Sequence, residues 1–351
     1  MASLARSRIS GLSGLSGRLA PRFSVSRAAI ARAHSRAFHR SAPLFHGNPL
    51  GIPVRDPNPA PSLPRRGGPP QRARIRGVKQ IVVVASGKGG VGKSTVAANL
   101  ALALAHTSPL GRAPRVGLLD LDIFGPSVPK LMGLEGAGEP ALSDRNKLLP
   151  MQNHGVATMS IGYLLPAGDT PVAWRGLMVQ KAVQQLLFDV EWAEGGDELD
   201  VLVIDMPPGT GDVQLSLGQL VVVDGAVIVS TPQDVALIDA RKGVVMFNKV
   251  NVPIIGLLLN MSHFICGSCD APHELFGSAD KFVRAAHELG LDVLGKVPLV
   301  TSVSDGGDAG RPVMVQSEAT GEPVREVMRG VGEKVWKWLL ARPHENHGVR
   351  G

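Results

Sequence analysis

The sequence predicts an α/β protein built on a mostly parallel, doubly wound sheet with helices on both faces. Three observations carry this. From residue 79 onward, short apolar runs rich in β-branched residues alternate with longer helical stretches, the pattern of repeated βαβ units. A glycine-rich segment, Gly87-Lys88-Gly89-Gly90-Val91-Gly92-Lys93-Ser94, follows the first run and opens a helix. Two later runs end on aspartates, at the strand ends where open parallel sheets bind ligands.

In chain order, the first acidic residue is Asp56, and everything before it is rich in Arg, Ser and Ala. That composition, without the continuous apolar core of a secretory signal, predicts a mitochondrial transit peptide over residues 1–45 and residence in the matrix. Arg36-Ala37-Phe38-His39-Arg40-Ser41 resembles a two-step processing pattern, with a cut after Ala37 and a trim of eight residues ending at Phe45. Residues 46–78 are rich in Pro and Gly and are expected to form a linker without a fold of its own.

The formal net charge of +7 sits in this leader: residues 1–78 hold 14 Arg, no Lys and one acid, which is +13. The remainder has 23 basic and 29 acidic residues, which is −6, so the expected partners do not include nucleic acid. No apolar run reaches the roughly 18 residues of a membrane span, and no stable membrane insertion is expected.

The body is expected over 79–341, with a tail at 342–351. Strands are predicted at 81–85, 116–121, 201–205, 226–230, Ile254–Leu259 and 292–297, short and mainly apolar as strands buried on both faces are. Helices are predicted at 93–105, Gly176–Phe188, 236–250 and 278–289. Near the C-terminus Val324, Val327, Met328, Val331, Val335 and Trp338 share one helical face, expected to pack on the sheet.

The loop at 87–94 matches G-x-x-x-x-G-K-[ST] in full and in the strand–loop–helix setting that the motif needs, which makes the expected fold that of a P-loop NTPase. Gly87, Gly89, Gly90 and Gly92 let the backbone wrap an anion, and Lys88, Val91 and Thr95 complete the loop and the first helical turn. Lys93 is expected to reach the β- and γ-phosphates of ATP, and Ser94 to ligate Mg²⁺. Asp120 and Asp122 lie at the end of one strand and Asp205 ends another. Asp205, with Met-Pro-Pro-Gly-Thr-Gly-Asp after it, is the expected second Mg²⁺ residue, and the glycines free the following loop to answer the γ-phosphate.

Lys88 lies inside the loop, where ordinary phosphate loops carry no fixed charge. Lys88-Gly-Gly-Val-Gly-Lys-Ser resembles the deviant loop of the ATPase group containing the Mrp, MinD, ParA and nitrogenase iron proteins. The resemblance implies that Lys88 crosses a homodimer interface to the partner's nucleotide, and that Asp122 positions the attacking water. DLDIFGPSVPKLMG at 120–133, AWRGLMV at 173–179, DMPPGTGDVQLSL at 205–217 and NMSHFICGSC at 260–269 narrow the match to Mrp-type members. It spans about residues 79–340, and it implies that Asn260 hydrogen-bonds the adenine while the segment around Pro298 closes over it. With the transit peptide added, the chain resembles the mitochondrial, nucleotide-binding-protein-like branch that serves iron–sulfur cluster insertion into respiratory complex I.

The only cysteines are Cys266 and Cys269, in Cys-Gly-Ser-Cys. Taken alone, such a pair reads as a redox disulfide, half a zinc site or half an iron–sulfur site. No second pair and no histidine spacing supplies further ligands. Family resemblance implies a [4Fe–4S] cluster held by both pairs of a symmetric dimer and passed to apo iron–sulfur proteins, complex I subunits among them. The family loop commonly has Pro where this chain has Gly267, which frees that loop. Two other functions stand beside this one: a partition- or division-type positioning ATPase, and a nucleotide switch stapled by zinc.

Overall fold

The computed structural model describes residues 72–107, 109–165, 176–266, 268–269, 271–317 and 321–342. The transit peptide expected at 1–45, the linker up to residue 71, residues 173–175, Gly267 and the tail from residue 343 lie outside them.

In chain order the strands are β1 (Val78–Ser86), β2 (Val116–Asp120), β3 (Met151–Asn153), β4 (Val156–Ser160), β5 (Leu199–Asp205), β6 (Gly225–Ser230), β7 (Ile254–Leu259), β8 (Phe264–Ile265), β9 (Pro272–His273) and β10 (Val293–Lys296). The helices are α1 (Lys93–His106), α2 (Val128–Leu131), α3 (Gly176–Phe188), α4 (Asp212–Leu220), α5 (Asp234–Lys249), α6 (Ala279–Glu288), α7 (Thr301–Asp308) and α8 (Glu322–Leu340). Eight strands make one sheet in the order β10-β7-β6-β1-β5-β2-β4-β3. All its pairings are parallel except β3 with β4. β8 and β9 pair separately and antiparallel.

The apolar strands are explained by their two buried faces. Ile81, Val83 and Ala85 of β1 pack with α3, α4, α5 and α6, whereas Val82 and Val84 pack with α1 and α8. In β5, Leu202 and Ile204 join the first face and Val201 and Val203 the second. Each fully buried Val or Leu contributes about 1.5–3 kcal/mol by leaving water. The sheet therefore fixes the C-terminal ends of β1, β2 and β5 side by side, with Val84 opposite Asp205 and Asp120 opposite Asp205.

Several boundaries differ from the sequence expectation. Residues 72–78 belong to the body, not to a linker: Ile75 is buried, the Ala73 N–H donates to the Leu220 carbonyl, and Val78 already pairs with Leu199. β3 and β4 escape a search for long apolar runs because they are short, β3 a three-residue edge strand and β4 the five-residue strand between it and β2, joined by a turn of His154 and Gly155 with φ of 52° and 76°. α7 contains Gly306 and Gly307, which weaken the helical pattern. On α8, Trp336 rather than Trp338 enters the core, and its Nε1 donates to the Leu104 carbonyl at 3.2 Å. Trp338 is half-buried at the rim and donates to the Asp224 carbonyl. Among the described residues no helix is long and apolar enough to cross a membrane.

Candidate nucleotide and metal site

β1 ends at Ser86 and α1 begins at Lys93, so the glycine-rich segment is the turn between a buried strand and a buried helix. Gly90 and Gly92 take φ of 79° and 80°, the left-handed region that glycine adopts without cost. A Cβ on Gly92 would lie 2.3 Å from Asn260 Nδ2, and one on Gly87 would lie 2.2 Å from the Asp239 backbone of α5. α1 opens without an acidic residue in its first turn, which leaves its positive dipole end to an anion. Gly89 and Gly90 are exposed, Ser94 and Thr95 half-buried, and Val91 buried. Lys88 is exposed at the tip, where its backbone carbonyl accepts from the Ser86 hydroxyl.

Lys93 is buried, and its Nζ lies 2.5 Å from Asp205 Oδ1, 3.2 Å from Ser94 Oγ and 3.8 Å from Asp122 Oδ2. The four residues expected to handle phosphate, Mg²⁺ and water thus meet at one ammonium. Burial pushes the Asp205 carboxyl upward against the pull of Lys93, and burial does the same to Asp122. Asp205 Oδ2 is buried without a hydrogen-bond partner. An unsatisfied carboxylate oxygen beside a serine hydroxyl is the donor set a hard cation takes, so the residues fit Mg²⁺.

Asp120 does a different job. Its carboxylate, fully buried, accepts from the Asp122, Ser127 and Val128 backbone N–H groups and from the Ser160 hydroxyl, at 2.9 to 3.2 Å. It shapes the loop that carries Asp122. Burial, reinforced by Asp205, pushes Asp120 up to about 7.

The segments after β2 and β5 line one cavity of about 530 Å³, which includes Asp122, Phe124, Pro207, Gly211 and Val183 of α3. The loop after β5 is tied to the phosphate loop's root, since the Gly209 N–H donates to the Ser86 carbonyl at 2.9 Å. Gln214, assigned no role from the sequence, is buried and donates to the Pro207 and Gly209 carbonyls. A polar residue at a core-facing helical position was the signal available for it.

Asn260 sits at the end of β7 with its amide on the phosphate loop: Nδ2 donates to the Val91 carbonyl at 2.8 Å. From there the chain runs through Met261, held at φ 53°, to Ser262, whose N–H and hydroxyl both donate to the Val297 carbonyl. The Leu299 N–H donates to the His263 carbonyl at 2.7 Å, and Phe264 bridges Leu299. Pro298, buried, is thereby held against residues 262–264. Two residues later Cys266 leaves β8, and its N–H donates to the Ala271 carbonyl to close the hairpin with β9.

Cys266 is half-buried, Cys269 exposed, and both are free thiols. The Ser268 and Cys269 backbone N–H groups hold the Cys266 thiol below its usual range. His273 on β9 joins them: the ligand atoms of Cys266, Cys269 and His273 all lie within 4.8 Å of one another. The histidine spacing in the sequence gives no sign of this residue, because C-x-x-C-x-x-x-H matches no usual pattern and only the hairpin turns His273 back. His263 faces the Ser262 hydroxyl instead.

Comparison with known proteins identifies the family. Residues 77–336 match the family described as ParA, NUBPL iron-transfer P-loop NTPase. The mouse (Mus musculus) iron-sulfur cluster transfer protein NUBPL is 52% identical over 255 residues, 73% of this chain and 76% of that one. An Arabidopsis thaliana iron-sulfur protein required for NADH dehydrogenase, mitochondrial, is 46% identical over 273 residues, 78% of this chain and 83% of that one. Among solved structures, a nucleotide-binding protein from Archaeoglobus fulgidus in complex with ADP is 35% identical with a TM-score of 0.56, covering 68% of this chain and 89% of that one. With the phosphate loop, its acidic partners and the cysteine hairpin on one chain, this protein belongs to the NUBPL iron-transfer P-loop NTPases of the ParA family.

Proposed function

We propose that this chain is an ATP-dependent carrier that holds a [4Fe–4S] cluster between the cysteine pairs of a homodimer and delivers it to apoproteins in the mitochondrial matrix, complex I subunits among them. The relatives named for cluster transfer and for NADH dehydrogenase support the cargo and the destination. The observation that carries the coupling is the single strand of chain from Asn260, which touches the phosphate loop, to Cys266 six residues on. A loop that rearranges around phosphate moves Val91, and with it the root of the cysteine hairpin.

In hydrolysis, water attacks the γ-phosphorus, the bond to the β-phosphate oxygen breaks, and ADP and phosphate leave. Asp122 orients that water, Lys93 binds the β- and γ-phosphates, and Lys88 reaches the nucleotide of the partner subunit. Ser94 and Asp205 would hold Mg²⁺, which neutralises phosphate charge when bound. Asn260 and Pro298 border the nucleotide, the amide of Asn260 serving the adenine.

The test is metal analysis of anaerobically purified protein. The expected result is about two iron and two sulfide per chain, one cluster per dimer. Heterodimers of wild-type chains with the Cys266→Ala, Cys269→Ala variant should bind nucleotide and hold no stable cluster. Zinc at one per dimer under iron-replete conditions would overturn the carrier reading in favour of a structural staple.

A further inference from the structure

We propose that His273 is a third metal ligand, so that one chain by itself binds a divalent ion through Cys266, Cys269 and His273 and leaves the fourth coordination position open. The inference rests on the carrier reading for the iron the site meets, while the coordination itself is argued from the hairpin alone.

The register of β8 and β9 puts Phe264 opposite His273 and Ile265 opposite Pro272, and the Cys266 N–H continues the ladder to the Ala271 carbonyl. Side chains two residues apart on a strand share a face, so Cys266 stands on the face of Phe264 and therefore diagonally across from His273. Cys269 comes from the turn between them. The result is a Cys2His set with every ligand atom within 4.8 Å of the others.

A tetrahedral ion with metal–sulfur bonds of about 2.3 Å and metal–nitrogen bonds of about 2.0 Å needs its donors roughly 3.5–3.8 Å apart. The observed set closes to that size by about an ångström of movement in an exposed turn. Binding is balanced by proton release: each thiol gives one proton to solvent, and the neutral imidazole gives none. Three protein ligands with an open fourth position are the arrangement of sites that exchange a ligand, whereas closed four-ligand sites are structural. The open position suits an incoming thiolate, from the partner subunit when a cluster is shared or from an apoprotein when it is passed on. His273 in this role would hold iron on one chain while the other pair lets go.

The experiment is titration of the full, reduced chain with Co²⁺ alone under anaerobic conditions, read by optical spectra and X-ray absorption. The expected result is one Co²⁺ per chain, four-coordinate, with two sulfur donors and one imidazole. His273→Ala should weaken binding by about tenfold or more and remove the imidazole signal. His273→Cys should restore affinity and raise the sulfur count to three. Co²⁺ bound at one per two chains by four sulfurs, with affinity unchanged in His273→Ala, would overturn the proposal, and so would the lack of any Co²⁺ site. Iron and sulfide assays on the same His273→Ala protein keep the two readings apart. A retained four-iron cluster with a lost Co²⁺ site supports both, and an absent cluster in wild-type protein counts against the carrier alone.

Discussion

Lys93 shows how one side chain serves two ends. Its ammonium lies 2.5 Å from Asp205 in a buried setting, so it compensates a carboxylate, and in the proposed function it also binds phosphate. Lys93→Ala is therefore expected to abolish ATP turnover and also to lower stability by about 1–3 kcal/mol, because Asp205 is left buried without its partner. The double variant Lys93→Ala, Asp205→Asn should regain part of that stability and none of the turnover. Phosphate release and thermal unfolding, measured on all three proteins, check both statements. Lys88 is exposed and makes no side-chain ion pair among the described residues, so Lys88→Ala should leave the melting midpoint and ATP binding in place and lose hydrolysis. Equal loss of nucleotide binding in the two lysine variants would remove the reading of Lys88 as a residue acting across the dimer.

At the scale of elements, β5 is the strand on which the site depends, since it ends on Asp205 and pairs with both β1 and β2. Its start is pinned by Asp200, whose carboxylate accepts from Lys79 of β1, from Arg112 and from the Arg115 N–H just before β2. Burial pushes Asp200 up, but Arg112, the Arg115 N–H and Lys79 together hold it down to about 2. A carboxyl held below its unfolded value stabilises the fold at pH above about 4, and that contribution is lost as pH falls from there toward 2. Arg112 and Lys79 are partly exposed, which screens the pairs. Asp200→Asn should cost about 1–2 kcal/mol at pH 7, a fall of about 2–6 °C in Tm. The difference from wild type should shrink on acidification to pH 2, as thermal unfolding across that range would show.

For the whole molecule, the charge asymmetry makes its own prediction. Residues 1–45 carry eight Arg and no acid, so removing them takes the formal charge from +7 to −1. Protein recovered from mitochondria should begin after residue 37, at His46 if both processing steps occur, and N-terminal sequencing reads this directly. An intact Met1 end in that material would sink the import reading. Residues 72–351, which include the folded body, hold 26 basic and 29 acidic residues, a net charge of −3, so the positive charge of the chain lies before them.

Much of this molecule is legible in its sequence. The phosphate loop, the strands of the sheet's centre and the acidic strand ends depend on local facts: which residues tolerate a left-handed backbone, which runs are apolar enough to be buried on both faces, and which motif follows which strand. The short pieces were not legible. The β3–β4 hairpin, the packing of residues 72–78 and the choice of Trp336 over Trp338 each hang on a neighbour far away in the chain, respectively β2, Leu220 with Leu199, and Leu104. The same holds for the site's finer assignments. Asp120 and Asp122 are two residues apart and read alike in sequence, yet one is sealed by backbone N–H groups and the other faces a cavity. His273 carries no signal in its spacing and reaches the cysteines only because two short strands pair. Local patterns specify what a residue can do, and the long-range packing that selects its neighbours specifies what it does.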